Sequence, residues 1–257
     1  MTGDDHVLAR DLAGQAGQRL LDLRAQGGDP DVLRKAGDRL SHEFLTAALA
    51  GQRPGDVVLS EEGADNPARL AARRVWIVDP LDGTREFGEP GRTDWAVHVA
   101  LWEKGDVSGP GDLTAGAVAL PAQGTVLSTA EPPPPLPGDA ASGRIRIVVS
   151  RSRPPSFVRN ISGLINAELV PLGSAGAKVA AVICGEVDAY VHGGGFYEWD
   201  TAAPVAVARA AGLHASRIDG SALAYNQPDL LMPDILVCRP AMAGILLRAI
   251  REVTHAS

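Results

Sequence analysis

A chain of 257 residues, 45% hydrophobic but only 4% aromatic, can bury a sizeable core built mostly of Ala, Val, Leu and Ile, in one large domain or two closely packed subdomains. Its net charge of −7 argues against binding a nucleic-acid polymer, although a small phosphorylated substrate stays open because bound cations invert the local sign of an acidic pocket. No apolar run approaches the roughly 18 residues needed to span a bilayer and the start is acidic, so no membrane association and a cytoplasmic location are expected. Cys184 and Cys238 lack any paired spacing and are both expected to be reduced, buried thiols.

Leu8, Leu12, Ala16 and Leu20, four apart within residues 4–24, predict an amphipathic helix ended by Gly27-Gly28-Asp29-Pro30. A second helix is expected to start at Asp38 and carry Leu40, Phe44, Leu45, Ala48 and Leu49 on one face, beside the first. Residues 57–59 and 75–78 are short β-branched runs, each feeding into acidic residues. Residues 95–102 alternate as a strand, and 116–120 with 124–127 predict a hairpin around Pro121, completing a largely antiparallel sheet.

Pro132 to Pro135, then Pro137 and Gly138, form a stiff segment foreign to helices and central strands. It suggests an N-terminal α+β subdomain, 1–137, and a C-terminal α/β subdomain, 138–257, with a long surface loop inside one sheet system as the alternative. Beyond it, strands at 144–149, 169–172, 189–191 and 235–238 alternate with helices near 157–166, 175–184 and 200–211 and one opened by Pro240. The fold class is mixed α+β and α/β.

The strongest chemical feature is Asp79-Pro80-Leu81-Asp82-Gly83-Thr84, directly after the 75–78 strand. Two carboxylates three apart on a tight turn repel unless a cation lies between them. Mg²⁺ suits such a set because it is hard and leaves coordination positions for water and phosphate. Gly83 and Thr84 would offer backbone N–H groups to a phosphate. Ser60-Glu61-Glu62 ends an earlier strand, and Trp199-Asp200-Thr201-Ala202-Ala203 opens a helix.

Together these three segments resemble the hallmark motifs of the inositol monophosphatase superfamily of metal-dependent, lithium-sensitive phosphatases. The resemblance implies a layered α-β-α-β-α sandwich of the sugar-phosphatase type. It implies that Glu61, Asp79 and the Leu81 carbonyl hold one Mg²⁺ and that Asp79, Asp82 and Asp200 hold a second, with a third ion near Glu61. Asp38, taken as the acidic residue at the start of the second helix, and Thr84 are implied to orient the attacking water, with Asp38 as a plain helix cap the alternative. Direct in-line attack on phosphorus follows, without a phosphoenzyme.

Substrate choice rests on flanking residues. Thr84-Arg85-Glu86-Phe87 and Ser150-Arg151-Ser152-Arg153 resemble the 3′-phosphoadenosine-5′-phosphate phosphatase, or bisphosphate nucleotidase, branch, although Arg153 stands where a histidine is usual. Gly173-Ser174 would line the pocket and Lys178 would face a non-scissile phosphate. Gly193 stands where the inositol branch carries a glutamate. The implied reaction is hydrolysis of 3′-phosphoadenosine 5′-phosphate to AMP in sulfate assimilation. Inositol monophosphate and fructose 1,6-bisphosphate are the competing substrates, and a non-catalytic phosphate-ligand binding protein is the competing class. Homodimerisation is expected only because relatives often dimerise. His98 and Tyr190 read as packed strand residues, and none of the six histidines is assigned to a metal.

Overall fold

A computed structural model describes residues 4–105, 110–136, 143–152 and 154–255. Arg153 and the expected subdomain boundary at 137/138 lie outside the described residues. The elements run α1 (Asp5–Ala25), α2 (Pro30–Gln52), β1 (Val57–Ser60), β2 (Arg74–Asp82), α3 (Thr84–Gly88), β3 (Ala96–Glu103), β4 (Asp112–Leu120) and β5 (Thr125–Ser128). They continue with β6 (Arg146–Ser150), α4 (Ser156–Leu164), β7 (Glu168–Leu172), α5 (Ala175–Ile183), β8 (Ala189–His192), β9 (Phe196–Tyr197), α6 (Glu198–Ala210), β10 (His214–Ser216), β11 (Leu231–Met232), β12 (Ile235–Cys238) and α7 (Pro240–His255).

The first sheet has the order β1-β2-β3-β4-β5, parallel only between β1 and β2. The second has the order β10-β12-β8-β6-β7 and is mixed. Strand alternation gives each sheet two apolar faces. Trp76 and Val78 face α1 and α2, whereas Val75 and Ile77 face the layer of α5 and α6. In the second sheet, Val148 and Tyr190 turn toward that same layer, and Ile147 and Val191 turn toward α4 and α7. The result is the expected α-β-α-β-α sandwich, with α5 and α6 in the middle. Because α5 meets apolar surface on both sides, every residue from Gly176 to Ile183 is buried. The largest core draws on chain from both sides of the proline segment.

Two expectations change. α2 begins two turns earlier than its hydrophobic stripe suggests, because Asp29 caps it by accepting from the Asp31 and Val32 amides at 2.9 and 3.1 Å, and Pro30 is pre-set for the first helical position. Asp38 is therefore an interior residue of α2 and not a helix start or cap. Cys238 is buried, but Cys184 is exposed at the end of α5, where the helix leaves the core.

Candidate active site

β2 does not stop at Val78. It continues through Pro80 to Asp82, with a register shift against β3 between Asp79 and Asp82 that turns both carboxylates toward the middle helices. Glu61 follows β1, the parallel neighbour of β2, and its amide donates to the Val78 carbonyl at 3.3 Å. Asp200 lies in the first turn of α6, accepting from the Tyr197 amide at 2.6 Å. Glu61, Asp79, Asp82 and Asp200 thus converge from three separated segments.

Electrostatics divide the cluster. Burial pushes Asp79 well above the usual carboxylate range, reinforced by the charges of Glu61, Asp82 and Asp200 and by a hydrogen bond with Glu61. Glu61 is pushed up to about 7 by crowding out of water and by the charge of Asp200, although part of the residue stays exposed. Burial and Asp82 raise Asp200 to about 6. Asp82 goes the other way. Burial pushes it up, but His98, Lys178 and Ser174 together hold it down to about 2. Ser174 Oγ and the Gly176 amide donate to Asp82 Oδ2 at 2.5 and 2.6 Å, and the Ala175 amide donates to Oδ1 at 3.1 Å. The first turn of α5 is thus spent on Asp82.

Four mutually repelling carboxylates, three of them with raised pKa values, suit a hard divalent cation by their chemistry, although Glu61 and Asp200 do not stand as near to both Asp79 and Asp82 as ligands of one ion would. Asp79, Asp82 and His98 bring potential ligand atoms within 4.8 Å of one another. The Leu81 carbonyl accepts from Thr84 Oγ1 at 3.0 Å, and the same hydroxyl, with one proton to give, lies 3.2 Å from Asp38 Oδ1. Burial and the neighbouring Glu62 raise Asp38 to about 6. The acidic residue and Thr84 are therefore side by side, with Asp38 reaching in from mid-helix. α3 is a single turn of five residues after a left-handed Gly83 (φ 83°). Its amides, and not a helix dipole, are what Gly83 and Thr84 offer a phosphate.

A cavity of about 480 Å³ opens on the cluster, with Gly83, Ser150 and Ser174 among its walls. Asp82, Asp200 and Lys178 give it a charged wall, and Phe157, Gly193 and Phe196 an apolar one. Lys178 is not a surface lysine. It is buried, donating from Nζ to the Gly173 and Ser174 carbonyls at 3.1 and 2.6 Å. Arg151 and Ser152 do not line the cavity. Arg151 instead donates to Glu86 at 2.7 Å and Glu89 at 3.1 Å. Gly173 is buried, its amide donating to Asp94 Oδ2 at 2.6 Å.

Two site features escape sequence reasoning. His98, which reads as packing, is fully buried beside Asp82. Burial alone would lower its pKa, but the Asp82 contact raises it. The signal was a lone polar residue among Ala96, Ala100 and Trp102 on one face of β3. Glu198 is buried and accepts from the Asn226 and Gln227 amides at 2.6 and 2.7 Å, bracing α6 against the 226–227 loop.

The family model of the inositol monophosphatase family matches residues 8–255, and the chain belongs to that family. It is 50% identical to the 3′-phosphoadenosine 5′-phosphate phosphatase of Mycobacterium leprae over 97% of this chain and 94% of that one. Among solved structures, inositol monophosphatase II of Staphylococcus aureus superposes with a TM-score of 0.80 at 22% identity, covering 97% of this chain and 96% of that one. CysQ of Bacteroides thetaiotaomicron superposes with a TM-score of 0.77 at 28% identity, covering 91% of this chain and 97% of that one. Among the described residues no helix is long and apolar enough to cross a membrane.

Proposed function

We propose that this phosphatase hydrolyses 3′-phosphoadenosine 5′-phosphate to AMP and phosphate, is Mg²⁺-dependent and lithium-sensitive, and serves sulfate assimilation in the cytoplasm. The observation that carries the nucleotide reading is the apolar wall of the cavity. A Cβ at Gly193 would stand 2.7 Å from Phe157 Cε1, so the aromatic ring fills the space where a side chain at 193 would go. An aromatic ring beside a run of glycines suits the flat face of a base, whereas a polyhydroxylated ring needs polar partners there. The name of the half-identical M. leprae relative supports the same choice.

Glu61, Asp79 and the Leu81 carbonyl would hold one Mg²⁺, and Asp79, Asp82 and Asp200 a second, with a third beside Glu61. When bound, such ions supply Lewis-acid chemistry, lowering the pKa of water and stabilising the leaving oxygen. The chain's own groups do the rest. Thr84 Oγ1 directs its proton to the Leu81 carbonyl or Asp38, leaving a lone pair to orient the attacking water. Asp38, with its pKa raised to about 6, is poised to take the proton that water loses near neutral pH. Gly83 and Thr84 amides meet charge on the scissile phosphate. Lys178 has one proton left after its two backbone contacts and meets the second phosphate, with Ser150, Ser174 and, from outside the cavity wall, Arg151, Ser152 and Gly173 shaping that end, and Arg153 assigned to it by its place in the motif alone.

The test is phosphate release from 3′-phosphoadenosine 5′-phosphate, inositol 1-phosphate and fructose 1,6-bisphosphate, each with Mg²⁺, with EDTA, with added Li⁺ and with Asp82→Asn. Turnover of the nucleotide that vanishes with EDTA is expected. Equal turnover with chelator would end the metal reading, and strong activity on another ester alone would correct the substrate.

A further inference from the structure

His98 touches two of the segments that build the site. Its Nδ1 lies 3.1 Å from the carbonyl oxygen of Trp199, the residue before Asp200. Its Nε2 lies 3.2 Å from Asp82 Oδ2, at ion-pair distance though off the line of an ideal hydrogen bond. Across the β2–β3 ladder His98 stands opposite Asp79, with Nδ1 4.0 Å from that carboxylate. The ring is fully buried, and space for it depends on Gly176, since a Cβ there would collide with Nε2.

Around Asp82 the contacts are unequal. Among the described residues, Oδ2 meets Ser174 Oγ, the Gly176 amide and His98, whereas Oδ1 meets only the Ala175 amide. A carboxylate oxygen has two lone pairs, so Oδ2 is fully occupied and Oδ1 keeps one direction open. We propose that His98 is a positioning residue that pins Asp82 with Oδ1 turned outward and locks the β2 turn to the first turn of α6, fixing the spacing between Asp82 and Asp200. This rests on the reading of the carboxylates as a Mg²⁺ site. Groups that hold metal-ligating carboxylates in place typically change metal affinity by about 10- to 100-fold when removed.

The experiment is Mg²⁺ binding to the full chain by calorimetry, without substrate, for the parent, His98→Leu, His98→Gln and, as a packing control in the far core, Val149→Ala. His98→Leu is expected to weaken Mg²⁺ binding about 10- to 100-fold. His98→Gln, which keeps one donor, should recover part of that and covers the case that the leucine variant does not fold. Val149→Ala should bind as the parent does. In turnover, the Mg²⁺ concentration for half-activation should rise in the His98 variants while the substrate KM at saturating Mg²⁺ holds. Parent-like affinity in both His98 variants, or an equal loss in Val149→Ala, overturns the role. A parent that binds no Mg²⁺ overturns the metal reading along with it.

Discussion

The two sides of the carboxylate cluster are built on opposite terms. Asp82 sits in a finished socket, with amide and hydroxyl donors from α5 on one side and His98 on the other, and its pKa is held down to about 2. Glu61 and Asp79 share one hydrogen bond, and burial pushes both up, with the charge of Asp200 adding to Glu61 and that of Glu61 adding to Asp79. The first side is organised by the protein alone. The second is frustrated until a cation arrives, and that frustration is the binding energy a cation recovers.

The sharpest way to break the comparison is to neutralise the frustrated side. Asp79→Asn is expected to lower kcat by about three orders of magnitude, matching several kcal/mol of lost charge stabilisation, measured as phosphate release at saturating Mg²⁺ with folding checked by circular dichroism. A loss under tenfold would mean that the two sides are not chemically distinct.

Next in size is the response to Mg²⁺ itself. At 100 times its Kd, Mg²⁺ should add about 2.7 kcal/mol, raising Tm by roughly 5–10 °C in a chain of this size, and Asp79→Asn should lose that rise. The sign of the pH dependence follows from the same groups. Glu61 at about 7 against an ordinary 4.5, and Asp200 at about 6 against 3.8, keep protons in the native state that the unfolded chain has released. Stability in EDTA should therefore fall as pH rises from about 4.5 to 7, and Mg²⁺ should flatten the slope. Asp82 has the reverse sign, and its contribution is lost only as pH falls from 3.8 toward about 2. Thermal melts from pH 4.5 to 7.5, with and without Mg²⁺, read the Glu61 and Asp200 slope and its flattening.

Phe157→Ala touches neither side. Loss of stacking worth about 1–3 kcal/mol should raise the nucleotide KM roughly 5- to 150-fold while leaving the half-activating Mg²⁺ concentration unchanged. A matching rise with inositol 1-phosphate would show that the ring packs the site without selecting a base. The smallest effect is expected for Asp29→Ala, which removes the α2 cap and about 1 kcal/mol. A fall in Tm of about 2–4 °C with unchanged kcat/KM would show that the carboxylates do not depend on the end of a distant helix.

Much of this arrangement was legible in the sequence, for identifiable reasons. Long periodic segments such as α1 and the β3 to β5 meander declare themselves, and the acidic ends of β1 and β2 stand out because charge follows directly on β-branched runs. The sequence points to Asp38 as the start of α2 because the apolar stripe is faint over the first turns, although Asp29-Pro30 is itself a start signal. β9, β10 and β11 are two or three residues long, too short for any period to register. His98 was illegible as part of the site because its partners, Asp82 and the Trp199 carbonyl, lie 16 and 101 positions away, and it takes the pairing of β2 with β3 to reach the first and the packing of α6 on that sheet to reach the second.

The contact between Phe157 and Gly193 also restricts the order in which this pocket can change. An acid introduced at 193 first would drive its Cβ into the ring, so on a route toward polyhydroxylated esters Phe157 has to swing aside or shrink for residue 193 to gain a side chain. The two substitutions are non-additive because they share this contact, and the order that shrinks Phe157 first spares the displacement of the ring.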